Sequence, residues 1–104
     1  DGKPIAVHVM DGAFLVSFDV ALKKAYTSVA VKMSTMELSA LAQPGGTFYG
    51  VDKMDGGKIV IFGGGVPLKS EDTIIGGLGI SGGTGEEDHS LAEYGLSVLP
   101  EILG

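Results

Sequence analysis

Sixteen of the eighteen glycines in this chain of 104 residues lie after residue 44, and that imbalance constrains its fold more than any other feature. The Gly-poor first part is free to build helices, whereas the Gly-rich remainder must use its glycines for turns, left-handed backbone and close approaches that a side chain would block. From Pro4 to Met10, Ile5, Val7 and Val9 alternate with Ala6, His8 and Met10, the period-two pattern of a strand with one face more deeply buried. Asp11-Gly12 ends it. Ser17 can then cap a helix in which Phe18, Ala21, Leu22, Ala25, Tyr26, Val29, Ala30 and Met33 recur at spacings of three and four. Its apolar stripe is rich in Ala, so this helix is expected to lie flat against a sheet. Ser34-Thr35-Met36-Glu37 has the spacing of a capping box and opens a short second helix to about Ala42, stopped by Pro44-Gly45-Gly46.

In the Gly-rich part, Lys58 to Phe62 reads as a short apolar strand, followed by a tight turn over Gly63-Gly64-Gly65-Val66-Pro67. A longer strand runs from about Thr73 to Ser81, and the glycines within it mark a place where another backbone or a ligand comes close. Thr84-Gly85-Glu86-Glu87 is a second capping box, with Asp88 adding charge where the helix dipole favours it, and the last helix is expected to reach about Ser97, before Pro100. The order is therefore β-α-α-β-β-α in one α+β domain, with most strands able to pair antiparallel. Asp1-Gly2 is a turn signal placed before a strand, which leads to the expectation that a helix and a strand precede it.

Apolar residues make up 44% and charged residues 19% of the chain, the balance of a folded domain, and its length suits one core. Seven Lys, no Arg and a net charge of −6 leave no basic face for nucleic acid or a membrane surface. There is no Cys, which excludes disulfides, thiolate nucleophiles and iron–sulfur ligation. No apolar run reaches the ~20 residues of a membrane span. The start, Asp1-Gly2-Lys3-Pro4, carries no export signal, so a soluble, cytoplasmic protein is expected.

Several residue groups invite a chemical reading. Gly77-Leu-Gly79-Ile-Ser-Gly82 fits the glycine spacing of a dinucleotide fingerprint, but the chain ends after one further helix, and acids crowd the place of the pyrophosphate; the competing reading is glycine packing against the Ala-rich helix. Glu86, His89 and Glu93 share one helical face and have the donor types of a zinc or iron site, although acids in a first turn also serve as caps. His8, with Met10 two residues on along the same strand face, has the donor types of haem iron ligation, and the competing reading is a core or interface histidine. Asp11 is a buried carboxylate or a turn residue bonded to its own backbone. Lys24 borders the buried stripe, where it could bind an anion, form a Schiff base or simply snorkel to solvent. Ser17, Ser81 and Thr84 are explained as caps or turn residues, and no nucleophile–base pair stands out.

Taken in order, Met10-Asp11-Gly12-Ala13, Lys24-Ala25, Gly64-Gly65-Val66-Pro67-Leu68 and Ile75 to Gly83, with Asp88 and Ala92, resemble the GlcG/HbpS family, which includes the C-terminal domain of PduO-type corrinoid adenosyltransferases. The resemblance runs from about Ile5 to Gly95. It implies a profilin-like fold, a central antiparallel sheet flanked by helices and assembled into homo-oligomers, with an initial helix and strand before Asp1-Gly2. It further implies a small-molecule site where the glycine blocks meet the helix, near a subunit interface, with Asp11, Lys24, Gly64, Pro67, Gly79, Ser81, Gly82 and Asp88 around it and His8 and His89 as the local candidates for haem ligation. Three functions follow from it: a protein that binds a tetrapyrrole, haem or corrinoid; a small enzyme of diol, glycerol or glycolate metabolism, with Asp11 or Asp88 moving a proton and Lys24 holding a carboxylate; or a structural partner of a larger enzyme.

Overall fold

The computed structural model describes residues 5–9 and 16–103. Among them the elements run β1 (Ile5–Val9), α1 (Val16–Val31), α2 (Thr35–Leu41), β2 (Gly65–Ser70), β3 (Thr73–Ser81) and α3 (Gly85–Leu103), with two short 3₁₀ turns, Val51–Lys53 and Asp55–Gly57, between α2 and β2. The order β-α-α-β-β-α and the α+β class hold. The sheet has the order β1-β3-β2, with β2 antiparallel and β1 parallel to β3, so it is mixed. Between β1 and β3 the chain passes through α1, α2 and β2, the kind of long connection that a parallel pair requires.

The strand expected over Lys58 to Phe62 does not form. Thr27 of α1 takes its backbone instead: Val60 N–H donates to Thr27 Oγ1 at 3.0 Å, and that hydroxyl donates to Lys58 O at 3.3 Å. The strand begins at Gly65, where a turn was expected. Pro67 is tolerated within it because β2 lies at the end of the strand order. Gly65 N–H is satisfied by Thr35 Oγ1 at 2.8 Å. The last helix also differs from expectation, since it continues through Pro100 to Leu103.

The two faces of the sheet are built differently. Gly77 and Gly79 of β3, with Gly65 of β2, lie against the backbone of α1. Leu78 and Ile80 alternate with those glycines and join Val66 and Ala92 in an apolar cluster beneath α3, flanked by Leu68, Leu91 and Leu96. The close approach of α1 selects which of its residues are buried: Ala21, Lys24, Ala25, Thr27 and Ser28, while Phe18 and Leu22 of the expected stripe are 57% and 41% exposed. Small side chains fit over glycine and large ones are displaced sideways.

Both caps form, and the second is a complete capping box. Glu37 N–H donates to Ser34 Oγ at 3.1 Å, and at α3 the exchange is reciprocal: Glu87 N–H to Thr84 Oγ1 at 3.1 Å and Thr84 N–H to Glu87 Oε1 at 2.9 Å.

Candidate functional site

The chemistry of the molecule centres on Lys24 and Asp88. Lys24 Nζ donates to Asp88 Oδ2 at 3.0 Å and to Ile80 O at 2.9 Å, and Asp88 Oδ1 accepts from Gly83 N–H at 3.0 Å. The two residues are 2% and 1% exposed, so the pair is removed from water. Burial of this kind is sustained only when each charge is paired and further hydrogen-bonded, as both are here. Asp88 also sits in the first turn of α3, where the helix dipole favours a negative charge. Lys24 is therefore neither a snorkelling surface lysine nor a free amine.

Gly64 closes the pair from one side. At its φ of +128° a Cβ would lie 2.5 Å from Ile80 O and 2.9 Å from both Asp88 Cβ and Lys24 Nζ, so only glycine fits. On the other side the pair forms the floor of an open cleft of about 450 Å³. Its walls are the backbone of Gly63, Gly83 and Gly85, the polar side chains of Ser39, Ser81 and Glu86, and the carbon surfaces of Val20, Met36, Ile61 and Phe62. Phe62 stands 61% exposed at this cleft. The result is an amphiphilic hollow, lined by a charged pair and by apolar side chains, and its size lies within the ~300–1,000 Å³ usual for small-molecule sites.

Of the residues expected around a site, the structure gathers Lys24, Gly64, Ser81 and Asp88, with Gly82, at φ +113°, in the turn beside them. Gly79 is not among them. A Cβ there would lie 1.9 Å from Ala21 O, so the fingerprint-like glycines pack against a helix and do not cradle a phosphate. Pro67 lines a second cleft of about 540 Å³, which also holds His89, Glu93, Lys32 and Lys69. Asp11 lies outside the described residues. Met36, Ser39, Ile61 and Phe62 escaped the sequence reading; the second helix shows only a cap signal, and the segment before Gly63 reads as a strand.

The Glu86, His89 and Glu93 constellation does not assemble. Glu86 lines the Lys24 cleft, whereas His89 Nε2 lies 3.3 Å from Glu93 Oε1, and no group of three or more potential metal ligands exists among the described residues. His89 Nδ1 is buried without a hydrogen-bond partner among the described residues. His8 lies elsewhere, on the rim of a small apolar groove of about 260 Å³ between the sheet and α3, beside Leu78, Ile80, Leu91 and Tyr94. The two imidazoles thus line separate hollows, and neither lines the Lys24 cleft. No helix among the described residues is long and apolar enough to cross a membrane.

A shifted titration occurs on the outer side of α1. The Tyr26 phenol donates to Asp55 Oδ2, and that hydrogen bond, with burial and the nearby negative charge behind it, raises the phenol above the ordinary tyrosine range. This contact ties α1 to the 3₁₀ turn at Asp55–Gly57.

Comparison with known proteins now places the chain. It is 41% identical over 101 residues to a 15.0 kDa protein of the dhaT-dhaS intergenic region of Citrobacter freundii, covering 97% of this chain and 71% of that one. It is 47% identical over 90 residues to the corrinoid adenosyltransferase PduO of the same organism, covering 86% of this chain but only 27% of that protein. Among solved structures, a PduOC:heme complex superposes with a TM-score of 0.78 at 48% identity, covering 85% of this chain and 64% of that one. Klebsiella pneumoniae ORFY superposes at 0.79 with 41% identity, covering 85% and 61%. A double mutant of Streptomyces reticuli HbpS gives 0.74 at 28% identity, covering 86% and 58%. The chain thus spans roughly three fifths of the solved structures it matches. A family model described as haem degrading protein HbpS-like matches residues 1–97, and the chain belongs to that HbpS-like family.

Proposed function

We propose that this chain is a small-molecule-binding domain whose ligand is a tetrapyrrole, haem first, held in the cleft above the Lys24–Asp88 pair. The observation that carries the reading is the make-up of that cleft, which is lined by a buried ammonium, by glycine backbone and by the carbon surfaces of Val20, Met36, Ile61 and Phe62. Haem has the same division, an apolar ring carrying carboxylates at one edge. Ile80 O and Asp88 take two of the three donors of the Lys24 ammonium, which leaves one for a ligand carboxylate. Phe62 and Ile61 add carbon surface on which an apolar ring can pack. When bound, haem supplies a redox-active iron. The haem complex of a relative 48% identical to this chain supports the choice of ligand. A corrinoid is the second tetrapyrrole to test, on the 47% identity to part of a corrinoid adenosyltransferase.

The alternative of a small hydroxy-acid enzyme is less well supported, because Lys24 and Asp88 are engaged with each other and neither stands ready to move a proton. The exposed Phe62 beside an open cleft favours a site completed by a second copy of the chain, and sedimentation velocity with and without haem tests that association.

A haem titration followed by visible absorbance tests the main reading. A saturable Soret band is expected in the wild type and in His8→Ala and His89→Ala, and its loss in Ser39→Trp, which fills the cleft. A band retained in Ser39→Trp and lost in either histidine variant overturns the assignment of the cleft, and the absence of any band overturns haem.

A further inference from the structure

We propose that the second cleft, the hollow of about 540 Å³ beside His89, binds a phosphate monoester, with Lys32 and Lys69 holding the phosphate and the carbon surface of the cleft holding the organic group. The site is independent of the haem reading. Lys32, Lys69, Glu37 and Glu93 all line the cleft. Each acid has a nearby partner: Ser34 Oγ donates to Glu37 Oε1 at 3.3 Å, and His89 Nε2 lies 3.3 Å from Glu93 Oε1. The two ammoniums have no ion-pair or hydrogen-bond partner among the described residues. Other lysines are engaged. Lys23 lies 3.0 Å from Asp19, Lys24 is paired with Asp88, and Lys58 sits 6.0 Å from the centre of the Tyr26 ring. Two free cations that converge on one hollow, in a chain of net charge −6, make a place for a negative group.

The backbone at both lysines is irregular. Lys32 follows the last residue of α1 at a φ of +60°, the left-handed conformation that ends helices and favours glycine. The chain uses glycine freely at such positions elsewhere, so the ammonium, and not the turn, accounts for a lysine here. Lys69 stands where the pairing of β2 with β3 shifts register, between Leu68 and Lys69, and an irregularity of that kind re-aims a side chain. Lysine also selects among anions. The planar fork of arginine matches a carboxylate, and this chain has none, whereas two point charges suit a tetrahedral dianion. Met33, Val66, Pro67 and Leu96 line the same cleft, and a bare phosphate would leave that carbon surface unused.

The test is a titration of the isotope-labelled chain with phenyl phosphate, inorganic phosphate and phenol, followed by amide shifts. Wild type is compared with Lys32→Gln, Lys69→Gln, Glu93→Gln and Lys53→Gln, the last a lysine outside the cleft. All four side chains are solvent-accessible, so the fold should survive each change. The expected result is a saturable shift at Met33, Val66 and Leu96 with phenyl phosphate, which binds more tightly than phosphate or phenol. Each of Lys32→Gln and Lys69→Gln should weaken binding several-fold, while Lys53→Gln matches wild type and Glu93→Gln binds no more weakly. The absence of a saturable shift, an affinity unchanged in either cleft-lysine variant, or an equal loss in Lys53→Gln overturns the site. Weaker binding in Glu93→Gln overturns its preference for an anion. Inorganic phosphate or phenol binding as tightly as phenyl phosphate overturns the monoester class, and shifts centred on Ser39 and Gly83 would move the ligand to the Lys24 cleft and overturn the assignment.

Discussion

The two faces of the sheet solve the same packing problem in opposite ways. Towards α3 the space is filled with side chains, Val66, Leu78, Ile80 and Ala92, which can adjust their rotamers when a neighbour changes. Towards α1 the space has been emptied of side chains. A Cβ at Gly65, Gly77 or Gly79 would lie 2.3, 2.6 or 1.9 Å from the carbonyl oxygens of Lys24, Ala25 and Ala21, and a helix backbone cannot step aside. The rigid face also carries the chemistry. With α1 pressed onto the glycines, Lys24 reaches the end of β3 and meets Asp88 at the start of α3. Close approach on one face thus positions the pair that floors the cleft, and the adjustable face supplies the core beneath the helix that brings Asp88.

The largest test of this comparison is to break the pair. Lys24→Met leaves Asp88 buried and unpaired and is expected to cost about 3–5 kcal/mol in urea unfolding, whereas the double change of Lys24→Met with Asp88→Leu should recover most of it. A single variant as stable as the double would show that the pair is not buried as described. Next, Gly79→Ala should cost about 3 kcal/mol, the upper end for overpacking, because its new methyl meets backbone. The matched change on the other face, Gly95→Ala, meets only the tip of Leu78 at 2.8 Å and gains helix propensity, so it should fall within about 1 kcal/mol of wild type. Equal costs for the two glycines would erase the distinction between the faces.

The smallest effect concerns the outer side of α1. Because the Tyr26 phenol is raised by its bond to Asp55, that tie stabilises the fold at pH values below the ordinary tyrosine range and is lost as pH rises through the folded value. The ultraviolet titration difference between wild type and Tyr26→Phe isolates this phenol. Its midpoint should move down when Asp55→Asn is introduced.

What the sequence revealed follows the range of the interactions involved. The caps at Ser34 and Thr84 were legible because a cap and its partner are three residues apart. The glycines of β3 were legible as a site of close approach, but not their partners on α1. The Lys24–Asp88 pair joins residues 64 apart, and the pattern around Lys24 suits a snorkelling lysine as well as a buried one. The apolar run at Lys58 to Phe62 was misread for a similar reason. Its composition suits a strand, and only the distant hydroxyl of Thr27 diverts its backbone from a sheet. Met36 was invisible as a site residue because only the fold brings it beside Gly63.

The most direct test of the account is to locate the ligand. Ferric haem is paramagnetic, so amide signals near it broaden as it is titrated into isotope-labelled protein. The account predicts that Gly63, Gly83, Gly85 and Glu86 broaden first, while His8 and Tyr94 stay sharp. Broadening centred instead on the His8 groove or on the cleft of His89 would contradict it.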